Sequence, residues 1–277
     1  MKVIYFGSDV FLTCFDFFLR YHEIIALYTY HHDEDYMTEE GIVRKAKAHG
    51  IPVHYESITA EEAGGLFRRR ECDLFFVAEY DRLIPVPEGL SSFRGVNVHS
   101  SLLPEGRSYY PIEAAMDREL TRTGVTIHKL APDLDSGTIL DQRSLDITAE
   151  MDSVDVYINL ARLAREMTEK LAENLEGAWA REMPPTDRQP YWKRPAPERL
   201  TLSHDMTRAE ALERFRRFNS MTQVKLEGRL YYVRGLTTGT AILPWKEWHL
   251  RDSIRLYALR DGHARLWIQA KTGEDRK

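Results

Sequence analysis

The chain of 277 residues carries a formal net charge of −5 and contains two cysteines, Cys14 and Cys72. This length accommodates one large domain and a smaller one. Two cysteines argue against a disulfide framework and favour a reducing compartment, and residues 1–9 lack the long apolar run of a signal peptide or a membrane span. We therefore expect a soluble, cytoplasmic protein with no membrane partner.

The charge is distributed unevenly along the chain. Residues 201–277 carry 15 Lys and Arg against 9 Asp and Glu, a net charge of +6, whereas residues 1–200 carry 23 against 34, a net charge of −11. A basic C-terminal segment favours an anionic partner such as a phosphate, a nucleotide or RNA. A basic face that only contacts solvent is the alternative, and composition does not separate the two.

The chain opens with a strand, a turn, a helix and a second strand. The apolar pattern predicts a buried strand over Lys2–Phe6, a turn at Gly7–Asp9, a helix over Val10–Arg20 and a strand over Glu23–Tyr30. This βαβ unit does not carry a dinucleotide fingerprint, because it has one glycine where that motif needs three. The turn is either a plain connection or a helix N-terminus near an anion.

Strands and helices continue to alternate through the first 180 residues. The segment His31–Asp35 mixes imidazoles with carboxylates, but adjacent residues seldom converge on one ion, so we predict no metal site. The further predicted elements are Met37–His49 (helix), Val53–Tyr55 (strand), Ala60–Arg70 (helix), Asp73–Ala78 (strand), Phe93–His99 (strand), Ile112–Arg118 (helix), Gly124–Leu130 (strand), Thr138–Ile147 (strand) and Ser153–Trp179 (one long amphipathic helix whose apolar stripe includes Val154 and Ile158).

A proline-rich stretch separates this α/β region from the rest of the chain. It predicts an extended linker over residues 183–200, between a domain of residues 1–182 and a small α+β domain of residues 201–277. In the last domain Thr207 and Glu210 form a capping-box pattern. The predicted elements there are a helix over Met206–Phe218 and strands over Gln223–Leu226, Leu230–Val233, Ile254–Leu259 and Ala264–Ile268. The predicted fold class is α/β with a smaller β-rich C-terminal domain.

Three polar residues carry the candidate chemistry. Asn97 and His99 end the predicted central strand two positions apart, so both side chains leave the same face. An amide and an imidazole can both donate to an oxygen that becomes negative, and an imidazole also exchanges protons near neutral pH. Asp135, after a later strand, can orient His99 or a water, or accept a proton from an attacking amine. A hydrogen-bonded histidine at a strand end, with no chemical role, is the alternative for His99.

Two loops flank these residues. The polar loop Glu79–Pro85 follows a buried strand, at the edge where open α/β sheets bind ligands. Arg107, Tyr109 and Tyr110 lie in a loop after Pro104 and could clamp an acceptor, the alternative being loop packing with an exposed arginine. No Ser or Cys stands in a recognisable nucleophile motif, which favours direct transfer through a tetrahedral intermediate.

Three segments within the first 180 residues occur together in one known family. They are Asn97–Pro104 (NVHSSLLP), Gly124–His128 (GVTIH) and Leu134–Gln142 (LDSGTILDQ). They resemble the 10-formyltetrahydrofolate-dependent formyltransferases, which include methionyl-tRNA formyltransferase, glycinamide ribonucleotide transformylase and the sugar N-formyltransferases. The resemblance implies a Rossmann-like formyltransferase domain over residues 1–182.

The same resemblance implies roles for individual residues. Its co-substrate would be 10-formyltetrahydrofolate, and its catalytic residues would be Asn97, His99 and Asp135. The folate pocket would be lined by Ala78, Tyr80, Arg82, Leu83, Ile84 and Asp133. We place the acceptor beside Ser8, Arg107, Tyr109 and Tyr110.

The acceptor is the point on which the sequence leaves alternatives. The linker segment Tyr191–Pro195 is similar to the sugar enzymes, and Arg107 is followed by Ser-Tyr-Tyr where the tRNA enzyme typically has Arg-Gly. We therefore favour a small or nucleotide-linked amine, above all an amino sugar, over a tRNA, which the basic C-terminal segment keeps open. A formyltetrahydrofolate hydrolase is a third reading, although such enzymes usually carry an extra N-terminal domain that we do not expect here. A homodimer is among the expected partners.

Overall fold

The computed structural model describes residues 1–30, 40–181, 183, 190–251 and 253–270. Its first sheet is formed by Lys2–Gly7 (β1), Glu23–Tyr28 (β2), Val53–His54 (β3), Leu74–Ala78 (β4), Gly95–His99 (β5), Arg122–Lys129 (β6) and Ile139–Asp146 (β7). The strand order is β3-β2-β1-β4-β5-β6-β7. The first five strands of this order are parallel, whereas β6 runs antiparallel to β5 and β7 antiparallel to β6. The carboxyl ends of β1, β4 and β5 therefore meet at one edge.

Helices cover both faces of this sheet, in agreement with the predicted α/β fold. They are Leu12–Tyr21 (α1), Glu40–Ala48 (α2), Ala60–Arg68 (α3), Pro111–Asp117 (α4), Ser153–Glu173 (α5) and Leu175–Ala180 (α6). No helix of the described ranges is both long and apolar enough to cross a membrane. The predicted loop His31–Asp35 lies outside the described residues.

Strand β1 shows how the two faces are filled. Val3 and Tyr5 pack in a core with residues of α1 and α5, whereas Ile4 and Phe6 pack in a second core with residues of α3. Successive side chains of a strand point to opposite faces, so a sheet covered on both sides needs an unbroken apolar run. This requirement explains the sequence of β1.

The helix predicted over Ser153–Trp179 is in fact two helices. It ends at Asn174, whose side chain accepts a hydrogen bond of 3.0 Å from the Gly177 N–H and begins α6. Its buried stripe consists of Val156, Leu160, Ala164, Met167 and Leu171. Val154 and Ile158, assigned to the stripe from the sequence, are 41% and 62% exposed. The helical spacing fits both stripes of apolar residues. Contact with the sheet buries the stripe centred on Leu160 and leaves Val154 and Ile158 outside it.

A second sheet follows the linker. Its strands are Thr201–Leu202 (β8), Gln223–Leu226 (β9), Arg229–Gly239 (β10), Glu247–Arg251 (β11), Ile254–Leu259 (β12) and Gly262–Ala270 (β13), in the order β11-β12-β13-β10-β9-β8. The short helix Pro197–Leu200 (α7) precedes it, and Arg208–Phe218 (α8) packs on it with Thr207 and Glu210 forming the predicted capping box. Strands β8 and β11 were not predicted, because the first has two residues and the second is mostly exposed.

The segment predicted as an extended linker is anchored by Trp192. Its indole is only 9% exposed and packs against Ala114 and Ala115 of α4, with the Arg118 guanidinium 4.7 Å from the ring centre. The backbone N–H of Trp192 donates a hydrogen bond of 2.8 Å to the Arg107 carbonyl. The segment therefore holds the loop that follows β5.

We predict that Trp192→Ala lowers the free energy of unfolding by about 3 kcal/mol, because removal of a buried aromatic ring leaves a cavity. Trp245→Ala is the matched control, since that indole is 62% exposed, and it should change the stability little. Thermal and urea unfolding measure both. Equal melting temperatures for the two variants would contradict the anchoring role.

Candidate active site

The carboxyl-terminal edge of the first sheet brings three polar residues into adjacent positions. Val77 of β4 pairs with Asn97 of β5, and the register continues so that Glu79 and His99 follow side by side. Gly7 of β1 pairs with Ala78, which places the buried Ser8 next to Glu79. Ser8, Glu79 and His99 therefore follow one another along this edge, although Glu79 lies beyond β4 with φ 58°, so the strand alternation does not set the direction of its side chain.

Three polar side chains at this edge lie close to one carboxylate oxygen. Asp135 Oδ1 lies 3.4 Å from Asn97 Nδ2, 3.6 Å from His99 Nδ1 and 3.7 Å from His128 Nε2. The side chains of Asp135 and both histidines are almost completely buried. The predicted set Asn97, His99 and Asp135 thus comes together, and His128 joins it.

The backbone fixes the orientation of both histidines. His99 Nε2 lies 2.9 Å from the Gly106 carbonyl oxygen, and His128 Nδ1 lies 2.8 Å from that of Lys129. Because a carbonyl only accepts, each of these nitrogens must carry a proton. His128 Nε2 is then free to accept from Asn97 Nδ2 at 3.1 Å, and His99 presents Nδ1 to Asp135.

Two glycines allow the Gly106 and Lys129 carbonyl groups to lie next to the histidines. Gly106 has φ +76°, and a Cβ there would lie 2.6 Å from the Ser101 Cβ. A Cβ on Gly137 would lie 1.8 Å from the Lys129 carbonyl oxygen. Both positions exclude a side chain, so the loops around β5 and Asp135 can close on the histidines only with glycine.

Asp135 is held in its ionised form. Its backbone adopts φ 48°, in the left-handed region. Burial alone would raise the pKa of this carboxyl, but His99, His128 and a backbone hydrogen bond from Ser108 together hold the pKa below its usual range. A fixed negative charge therefore faces the row of nitrogens at neutral pH.

The pKa of Glu79 is shifted in the direction opposite to that of Asp135, although both carboxyls lie near His99. Burial is the main cause that raises the pKa of its carboxyl to about 7, with Glu113 and Asp135 adding to the rise and His99 opposing it. Its Oε1 accepts a hydrogen bond of 3.1 Å from Ser100 Oγ. Sequence reasoning did not single out Glu79. The available signal was a glutamate directly after a fully buried strand at the ligand edge of the sheet.

A cleft beside the carboxylate brings together most residues expected at the folate. Its lining consists of Val77, Tyr80, Arg82, Leu83, Ile84, Asn97, His128, Leu130, Ala131, Asp133, Leu134 and Asp135. Ala78 does not line it: its side chain packs in the core on the other face of the sheet, and Val77 takes that place because neighbouring strand residues alternate between faces.

The residues expected at the acceptor have different surroundings. The Arg107 guanidinium donates to the Leu134 carbonyl at 2.5 and 3.2 Å, so it joins two loops rather than projecting freely. Tyr109 is 48% exposed, and its N–H donates to the Tyr191 hydroxyl at 2.9 Å. Tyr110 packs against a small core of the C-terminal region. Tyr109 thus remains open to a ligand, whereas Arg107 is held within the protein.

Comparison with curated proteins and solved structures places this geometry in context. Methionyl-tRNA formyltransferase of Acidithiobacillus ferrooxidans is 32% identical over 173 residues, covering 62% of this chain and 52% of that protein. The chain therefore spans about half the length of this relative. An N-formyltransferase of Helicobacter canadensis, solved with folinic acid and dTDP-3-aminofucose, has a TM-score of 0.62 at 18% identity over 96% of this chain and 98% of its own.

A further solved structure and a family profile complete the comparison. HypX of Aquifex aeolicus in complex with tetrahydrofolic acid has a TM-score of 0.66 at 16% identity, over 99% of this chain and 45% of its own. Likeness at such identities concerns the fold, and it confirms the predicted formyltransferase fold. The profile described as formyl transferase matches residues 24–170. Because this match covers more than half of the chain, the chain belongs to the formyl transferase family.

Proposed function

We propose that this protein transfers a formyl group from 10-formyltetrahydrofolate to a primary amine. The observation that carries the proposal is the convergence of nitrogens from Asn97, His99 and His128 on one anionic oxygen beside an open cleft. Transfer between two amines generates a negative oxygen on the formyl carbon. Preorganised donors in a site that excludes water stabilise such an oxygen.

In this proposal the acceptor amine attacks the formyl carbon directly. The carbonyl oxygen becomes an oxyanion, to which Asn97 Nδ2 and a ring N–H of His99 donate. The bond to the folate nitrogen N10 then breaks, N10 takes up one proton, and the amine loses one. Asp135, whose lowered pKa keeps it ionised before the reaction, lies 3.6 Å from His99 Nδ1 and can accept the proton of the amine. No covalent enzyme intermediate is needed.

The cleft would hold the folate through apolar contact and a few polar groups. Val77, Ile84 and Leu130 supply apolar surface, and Tyr80 and Arg82 stand at the same wall. Arg82 is positioned by its hydrogen bond of 2.7 Å to the Tyr55 carbonyl. Binding there would place the formyl group beside Asn97 and Asp135, which line the same cleft.

For the acceptor we propose the amine of a nucleotide-linked amino sugar. Support comes from the arginines of α8, which belong to the basic C-terminal segment that keeps a tRNA open as the acceptor. Arg217 pairs with Glu119 and Glu213 at 2.7 and 2.6 Å, Arg216 donates to the Met151 carbonyl, and Arg214 donates to the Glu198 carbonyl at 2.9 Å. These guanidinium groups contact the protein itself, so they are poorly placed to neutralise phosphates of a large ligand.

Methionyl-tRNA is the second candidate acceptor, favoured by the names of the sequence relatives. The two are separated by following tetrahydrofolate release with a dTDP-linked amino sugar and with charged initiator tRNA across a salt series. We expect turnover with the sugar and a shallow salt dependence. Contacts to many phosphates would instead give a slope near −0.9 per phosphate in a plot of log K against log salt. Efficient, salt-sensitive formylation of the tRNA alone would replace the sugar as acceptor.

We predict that Asn97→Ala and His99→Ala each lower kcat by about 100- to 1,000-fold, because an oxyanion donor contributes about 3–4 kcal/mol in the transition state. Folate binding, measured by calorimetry, should change little. Asn159→Ala, at a half-buried position of α5, and His249→Ala, at an exposed position, are the matched controls. Turnover near that of the wild type in either site variant would contradict the catalytic assignment.

We predict that Glu79→Gln becomes progressively more stable than the wild type as pH rises. The carboxyl has a pKa of about 7 when folded and about 4.3 when unfolded. Between these values only the folded state holds the proton, so the wild-type free energy of unfolding falls with rising pH. Urea unfolding should show the gap widening by about 2–3 kcal/mol between about pH 5 and about pH 7.5. The exposed Glu61→Gln variant should show a constant difference, and a constant gap for Glu79→Gln would contradict the raised pKa.

A further inference from the structure

A second cleft lies between α4 and the segment 191–199, with a volume of about 320 Å³. Its charged lining residues are Asp117, Arg118, Lys193, Arg194 and Arg199. Arg199 Nε lies 2.7 Å from Asp117 Oδ1, so the charges of this pair cancel. Among the residues that the structure describes, no carboxylate forms an ion pair with Arg118, Lys193 or Arg194, although Arg194 acts on the Glu113 carboxyl at longer range. The cleft therefore holds three cations without an ion-pair partner.

Aromatic rings orient two of these cations. The Arg118 guanidinium stands 4.7 Å from the centre of the Trp192 ring, and that of Arg194 stands 5.2 Å from the centre of Tyr110. A stacked guanidinium presents its flat face to the ring and keeps its N–H edge available for hydrogen bonds. Such edges match the paired oxygens of phosphate groups.

Tyr191 connects this cleft to the candidate active site. It lines the cleft, and its hydroxyl accepts a hydrogen bond from the Tyr109 N–H at 2.9 Å. Burial raises the pKa of the Tyr191 phenol, and Asp135 is among the nearby charges that raise it further. Tyr109 belongs to the same loop as Arg107, whose guanidinium donates to the carbonyl of Leu134, the neighbour of Asp135. The Tyr191 side of the cleft is therefore joined to the loops that carry the proposed catalytic residues.

We propose that this cleft binds the diphosphate of a nucleoside-diphosphate-linked amino sugar while the sugar amine reaches Asn97 and His99. The inference rests on the proposed function and adds the location of the anionic part of the acceptor. Three cations without carboxylate partners suit a compact group with several negative charges. The stacked rings of Tyr110 and Trp192 define the cleft wall and limit the directions from which a diphosphate can approach.

The test uses the full-length protein with Lys193→Gln and Arg118→Gln, separately and combined. Both side chains are exposed, and Lys193→Gln removes no ring contact. Calorimetry with dTDP and with UDP, in the absence of folate, should show a Kd raised about tenfold or more by each variant. In turnover, the KM for the dTDP-linked amino sugar should rise by a similar factor, while the KM for 10-formyltetrahydrofolate stays the same. Lys246→Gln, exposed near the second sheet, is the charge-matched control and should leave every value unchanged.

The outcomes separate this inference from the proposed function. Wild-type affinity for dTDP and UDP in the double variant, or equal losses with Lys246→Gln, would overturn the cleft assignment even if formyl transfer occurs. Binding of inorganic pyrophosphate that depends on Lys193, with no added affinity for dTDP or UDP, would also overturn it. Conversely, Lys193-dependent binding of nucleoside diphosphates without formyl transfer to any amine would support the cleft and contradict the proposed reaction.

Discussion

A single buried carboxylate oxygen, Asp135 Oδ1, is the constraint around which this structure is arranged. A charge removed from water is costly unless polar partners surround it. Here the Asn97 amide lies 3.4 Å from this oxygen, and ring nitrogens of His99 and His128 lie at 3.6 and 3.7 Å. These distances are slightly longer than ordinary hydrogen bonds. Asn97 and His99 therefore lie close to a negative charge without short hydrogen bonds to it, which leaves them able to form shorter contacts to a second negative oxygen.

Glu79 would compete with that arrangement if it were ionised. Two carboxylates beside one imidazole would repel each other, and the raised pKa of Glu79 removes part of this repulsion near neutral pH. Asp135, with two imidazoles near it, keeps its charge instead. Neighbouring carboxyls are thus driven toward different protonation states by their partners, which is a common property of reaction centres.

Local sequence patterns predicted part of the candidate site, whereas the residues brought there by contacts between distant segments were not predicted. The two-residue period of a strand placed Asn97 and His99 on one face, and the family motif added Asp135. His128 and Glu79 entered the site through the register of neighbouring strands, which no local pattern specifies. Most elements were likewise correct to within a few residues, but the break at Asn174 depends on a side-chain cap that competes with a continuing helix.

The anchoring of Trp192 has a consequence for how the catalytic unit is delimited. The family match ends at residue 170, yet the loop whose Gly106 carbonyl orients His99 is held from outside that range. The backbone N–H of Trp192 donates to the Arg107 carbonyl, and the Trp192 indole lies 3.3 Å from where a Cβ of Gly106 would stand. A fragment cut at the family boundary would contain all of the proposed catalytic side chains and lose the support of one of them. The part of the chain that positions the proposed catalytic residues is therefore longer than the region that matches the family profile.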